Sequence, residues 1–214
     1  MDILRELNLD LFENLNLLFE IYKEWEEYFS FLKREFLINC PDFCSFCCNT
    51  DVENIQSTIF EMLPSAILFY KLIFENGKNK EFLEIQKIDI SILNKVKEEL
   101  FYERYYDKCI FYREDIKNDW GCSIYSIRPS ICRLFGFSFK KDKRERLIFT
   151  PCKKLGRKII TIQKYEKNNK IPIYNNLYFQ IFSINLNYSN KFYNINLAFK
   201  KAFEIVYLKF KIIK

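Results

Sequence analysis

Four cysteines occupy nine positions in CPDFCSFCC, Cys40 to Cys48, and single ones follow at Cys109, Cys122, Cys132 and Cys152. A thiol set of that density has three possible destinations: disulfides, the apolar core, or a metal. Disulfides fit poorly. Adjacent Cys47 and Cys48 would close a strained ring if bonded to each other, and eight cysteines admit 105 pairings that no spacing sorts. A chain of 214 residues, 49% of them hydrophobic, can also bury a sizeable core without covalent staples. Inert burial suits an isolated thiol such as Cys152, because free cysteine is commonly buried. It does not suit the first cluster, where the apolar neighbours are Phe43 and Phe46.

Thiolates are soft ligands suited to zinc, Cu(I) and iron–sulfur clusters. The chain contains no histidine, so a zinc site here is expected to be all sulfur. Pro41-Asp42 supplies a turn that lets Cys40 and Cys44 face one centre. Cys47 and Cys48 diverge unless the backbone twists, so one of them is expected to serve a second metal or another edge of the site. Eight thiols suffice for two four-sulfur zinc sites, or for one cluster with thiols to spare. Such centres carry net negative charge, which makes Arg128 and Arg133, beside Cys132, natural partners for it.

The compartment reading agrees. MDILRELNLDLFENL carries acidic residues where a secretory leader has a basic region and an apolar run. No stretch reaches the roughly 18 to 20 apolar residues of a membrane span; MLPSAILFYKLIF comes nearest and holds Lys71. The expectation is a cytoplasmic protein without membrane partners, in which thiols stay reduced.

Along the chain, Leu4, Leu7, Leu11, Leu15, Leu18, Tyr22, Trp25, Phe29, Leu32 and Phe36 recur at steps of three and four. That is one apolar helical stripe, with a break near Asn14 and Asn16, running into Cys40. Leu17, Phe19 and Ile21 widen it, which favours packing within its own domain over a coiled-coil dimer. Val52 to Phe74 reads as a helical region interrupted at Pro64, ENGKNK as a turn, and Ile90 to Tyr105 as a helix. Short β-prone pieces (CIFY, CSIY, FGFSF, RLIFT) then alternate with the turn-forming DIKNDWG and KKDKRER. RPSICR reads as one helical turn with Pro129 at its first position. From Phe192 through Ile195, Phe199, Phe203, Val206 and Phe210 to Ile213 the helical period returns. No internal repeat is present.

Residues 1–35 hold nine acidic and four basic side chains; residues 140–214 hold four acidic and eighteen basic. Opposed fields of this kind would draw the two terminal regions together. The same basic excess would suit nucleic acid or an acidic protein partner, but the lysines are dispersed apart from KKDKRER. Aromatics make up 18% of the chain, and their abundance alongside Lys, Ile and Asn reads as compositional drift rather than a base-stacking surface.

CPDFCSFC also has the C-x3-C-x2-C spacing of radical S-adenosylmethionine enzymes. Those are built as partial βα barrels with glycine-rich strands. Here a helix precedes the motif, the chain has 4 Gly, and no strand–helix alternation appears, so that assignment is rejected.

Taken in order, CPDFCSFCC, CIFY, CSIYSIRPSICRLFGF and the late cysteine of TPCK resemble the YkgJ-like CxxCxxCC cysteine-cluster family, described as zinc- or iron-chelating domains. Cys109 matches the family's C-x-F/L element. Cys122 through Ile124-Tyr125 and Arg128-Pro129 to Cys132-Arg133 matches C-x-I-Y-x-x-R-P-x-x-C-R. Ser45-Phe46 departs from the small residues usual in the first motif, which bears on access and leaves the ligands intact. The resemblance covers residues 40–152 and implies a metal site built from Cys40, Cys44, Cys47, Cys48, Cys109, Cys122, Cys132 and Cys152. Related clusters occur in flagellin lysine methylases, so an iron–sulfur-dependent methylase or oxidoreductase is an alternative; a zinc-stabilised nucleic-acid-binding or adaptor module is another.

The chain is therefore expected to be a predominantly helical α+β protein forming one domain over residues 1–214. Its cysteine core, residues 40–152, would contain short strands and loops and be flanked by helical regions at residues 1–39 and 175–214. Arg128 and Arg133 would neutralise the site and Tyr125 would pack against it.

Overall fold

A computed structural model describes residues 12–36, 48, 51–75, 88–113, 121–144, 146–149, 152 and 173–213. Cys40, Cys44, Cys47, the ENGKNK turn beyond Glu75, Leu4, Leu7, Leu11 and most of DIKNDWG lie outside the described residues. Within them the protein is α+β and predominantly helical, with seven α-helices and two short antiparallel ribbons.

Helix α1, Leu15–Phe36, carries the predicted stripe. Leu15, Leu18, Tyr22, Trp25, Phe29 and Leu32 are all buried, so the stripe is spent inside the chain. It begins where the break was expected: Asn14 has φ 63°, a left-handed conformation that Asn tolerates better than most residues.

Val52 to Phe74 is not one interrupted helix. A short 3-10 turn at Val52–Asn54 leads into strand β1, Gln56–Thr58, and then helix α2, Ile59–Phe74. Pro64 lies inside α2 and does not end it. Twelve of its residues, from Phe60 to Leu72, are buried, so tertiary packing outweighs the roughly 3 kcal/mol that a helical proline costs. Thr58 caps the helix, its Oγ1 accepting the Glu61 N–H at 3.3 Å.

Helix α3, Ile90–Phe101, is shorter than its period suggests, because Glu103 turns the chain with φ 53°. Helix α4, Ser130–Leu134, places Pro129 at the cap, one residue before the position expected for it. Strands β2, Phe139–Lys141, and β3, Leu147–Phe149, pair antiparallel across KKDKRER. The chain continues through α5, Tyr174–Ile184, α6, Leu186–Ser189, β4, Phe192–Asn194, and α7, Ile195–Ile213.

Strands β1 and β4 pair antiparallel with Ser57 opposite Tyr193, and each leads straight into a long helix. Those helices, α2 and α7, form the principal packing interface. Phe69 of α2, Phe199 of α7 and Phe111 meet ring to ring, with centroids 5.0 to 5.7 Å apart. This aromatic centre anchors the CIFY segment, and with it the backbone beside Cys109.

Helix α1 packs on α5, where the Trp25 indole donates to Gln180 Oε1 at 3.2 Å. Opposed charge does not explain this contact, since α5 carries no charged side chain. Buried aromatic surface does. Among the described residues no helix is long and apolar enough to cross a membrane.

Candidate metal centre

Five of the eight cysteines are described. Cys48, Cys109, Cys122 and Cys152 are buried and Cys132 is half-buried. No disulfide joins any of these five to another. Cys40, Cys44 and Cys47 fall outside the described residues, and among those described no three cysteine or carboxylate side chains converge as a finished metal site.

The backbone nevertheless gathers the cysteine-bearing segments. The Val52 N–H donates to the Asp107 carbonyl at 2.7 Å, tying the 3-10 turn beyond Cys48 to the loop that precedes Cys109. Asn196 of α7, itself buried, grips that loop. Its Oδ1 accepts the Ile110 N–H at 3.0 Å, and its Nδ2 donates to the Lys108 carbonyl at 3.0 Å and the Tyr106 carbonyl at 3.4 Å. Beyond Cys109, Tyr112 and Cys122 form an antiparallel bridge, flanked by bonds from Arg113 N to Gly121 O and from Ser123 N to Phe111 O. CIFY and CSIY are therefore neighbours, and Cys122 is fixed in register against Tyr112.

From Cys122 the chain makes a tight turn at Tyr125–Ile127 and enters α4, which carries Cys132. The Arg128 guanidinium lies over the Tyr125 ring at 3.9 Å. Burial works to lower its pKa, but the Tyr125 hydroxyl, the Cys122 and Cys132 thiols and the Glu26 carboxylate outweigh that and hold it above its ordinary value. Its buried Nε has no hydrogen-bond partner among the described residues. Tyr125 thus meets Arg128 through its ring face.

Arg133, whose motif letters match those of Arg128, is differently engaged. Its side chain is 5% exposed, with Nη1 donating to Glu26 Oε1 at 2.8 Å and Nε to the Arg128 carbonyl at 2.8 Å. Nη2 donates to the Ser126 carbonyl, and the guanidinium plane covers Tyr22 at 4.1 Å. Burial lowers its pKa, against the pull of Tyr22 and Glu26.

Several residues of this neighbourhood carry no motif letter. Glu61 is 1% exposed; its Oε1 accepts from the Tyr22 hydroxyl at 3.0 Å and from the Ser130 N–H at 2.6 Å. Burial first, then the Glu61 carboxylate, raises the Tyr22 pKa well above its usual value, so its hydroxyl stays protonated and donates. Tyr174 and Tyr178 border the same carboxylate, and burial followed by Glu61 raises both. In the sequence, Thr58-x-x-Glu61 is a capping-box signature, which places Glu61 at a helix start but does not show that it turns inward. Asn196 and Glu26 give no local signal at all.

A buried, sulfur-rich, histidine-free shell with a guanidinium beside two thiols is the chemistry of a thiolate metal-binding domain. The chain belongs to the family described as "CxxCxxCC: Putative zinc- or iron-chelating domain", whose model matches residues 39–153, rather more than half of its length. No curated protein and no solved structure matches it.

Proposed function

We propose that the protein holds zinc or an iron–sulfur cluster through the thiolates of Cys40, Cys44, Cys47, Cys48, Cys109, Cys122, Cys132 and Cys152. The single observation that carries this reading is Arg128: a buried guanidinium stacked on Tyr125 between Cys122 and Cys132 in the motif, whose Nε has no hydrogen-bond partner among the described residues. Burying that cation beside neutral thiols is costly. A metal keeps its thiolate ligands deprotonated, and their negative charge adds to that of Glu26 in offsetting the buried Arg128 cation. The buried Cys109 and Cys122 are held on backbone that is already hydrogen-bonded, which lowers the ordering cost of binding. The whole chain acts as one domain in a reducing, cytoplasmic setting, with residues 40–152 as the metal-bearing core.

The test is anaerobic purification, a visible spectrum, and zinc and iron measured per chain. Stoichiometric zinc in a colourless protein identifies a closed structural centre. A brown protein with matching iron identifies an iron–sulfur centre and opens redox or methyl-transfer chemistry to assay. A chain that carries neither metal, and takes up neither on reconstitution, refutes the proposal.

A further inference from the structure

Cys132 sits on a helix of five residues, too short to persist by itself. Pro129 gives it no side-chain cap. The first N–H groups of any helix need outside acceptors, and here Glu61 supplies one, taking the Ser130 N–H. Arg133, next to Cys132, is held by Glu26 and by the face of Tyr22. Tyr22 closes the circuit, because its hydroxyl donates to the same Glu61 oxygen that receives Ser130. Residues 130 and 133 bracket Cys132, and both are tied, directly or through Glu61, to α1.

We infer that α1 is a working part of the metal centre: Tyr22 and Glu26, outside the family segment, act with Glu61 as positioning residues that fix Cys132 before metal arrives. This rests on the metal-binding reading above. Every contact in the clamp is charge-assisted or buried, with Tyr22 at 3% exposure and Glu61 at 1%, so the arrangement has little freedom to drift. Reciprocity follows from linkage: if docked α1 favours metal, bound metal favours docked α1.

The experiment uses the full-length reduced chain and Co(II) as the probe, following thiolate-to-cobalt charge transfer during titration. Tyr22→Phe keeps the ring under Arg133 and removes the bond to Glu61; Glu26→Gln removes the charge from Arg133 at a site that is 52% exposed and tolerant of change. Tyr28→Phe, which loses only an exposed bond to Glu24 on the same helix, is the control. Tyr22→Phe and Glu26→Gln are expected to weaken Co(II) binding about 10- to 100-fold, as loss of supporting contacts does elsewhere. Both should also alter the charge-transfer band of the saturated protein, which a mere loss of stability would leave alone. Tyr28→Phe should match wild type. In the wild-type chain, amide exchange across residues 15–36 should slow when Co(II) is added, a readout that needs no variant. Unchanged affinity and band in both variants, or exchange across residues 15–36 indifferent to Co(II), overturns the clamp. Wild-type protein that binds no Co(II) at all would instead refute the metal-binding proposal.

Discussion

Replacing Asn196 by Ala tests whether the flanking C-terminal helix supports the Cys109 loop. Three hydrogen bonds disappear together. The Ile110 N–H is left buried and unsatisfied, at a residue 1% exposed, which costs about 1–3 kcal/mol. The 3.0 Å bond to the Lys108 carbonyl adds about 1 kcal/mol and the 3.4 Å bond to Tyr106 less. The sum is about 3 kcal/mol, which for a chain of this size lowers the melting temperature by roughly 6–12 °C. The assay is thermal unfolding of the metal-free reduced protein, followed by circular dichroism, so that metal affinity does not enter.

Asn196→Asp is the stricter test. It keeps the acceptor for Ile110 but sets a carboxylate oxygen where Nδ2 faced two carbonyls. At neutral pH it should be at least as damaging as alanine. Its pKa should be raised in the folded state, so the protonated form binds better there and stability should recover as pH falls through that value. If both variants melt within about 2–4 °C of wild type, roughly 1 kcal/mol, the Asn196 side chain does not support the loop.

Asn14→Ala should destabilise by about 1 kcal/mol in urea unfolding, because alanine resists the left-handed conformation at φ 63°, whereas Asn14→Gly should stay near wild type. Burial, then Glu61 and Tyr174, pushes the Tyr178 pKa up to about 12, above the unfolded value of about 10. Its contribution is therefore complete below pH ~10 and lost as pH rises through ~12; Tyr178→Phe should flatten the stability curve across that window, and parallel curves would refute this. Arg133→Lys should cost about 2 kcal/mol in the metal-free protein, since an ammonium cannot serve Glu26, two carbonyls and the Tyr22 face at once. Arg128→Lys should cost less than half of that, because lysine retains the charge beside Cys122 and Cys132.

The legibility of the fold tracks the range of its interactions. Helix α1 could be read from Leu15 to Leu32 because its period is local and its single break falls on Asn14. The same reading failed at Val52 to Phe74. Three-residue β1 has no periodicity to detect, and its partner β4 lies more than a hundred residues away. Pro64 misled because helix propensity is scored against solvent, while α2 is enclosed by α7 and the aromatics around Phe111. Bulk charge describes segments, whereas the contact between α1 and α5 is made by uncharged side chains on one of them.

Within the candidate site, the cysteines are proposed as ligands on the strength of their spacing, and Tyr125, Arg128 and Arg133 as their neighbours because they share the second motif. The division of labour between the two arginines could not be read that way. Letters place both next to Cys132 and suggest one shared task of neutralisation. What separates them is three-dimensional. Arg133 turns toward α1 and is held by Glu26, Tyr22 and backbone carbonyls, while Arg128 lies near Cys122 and Cys132 and keeps a buried donor without a partner among the described residues. On the proposed function, the second answers negative charge at the thiols. The first joins the cysteine motif to a helix outside it, as Asn196 does from the opposite end of the chain. A motif can name candidate ligands, but the groups that hold those residues in place lie wherever the fold brings a buried hydrogen bond to bear on them.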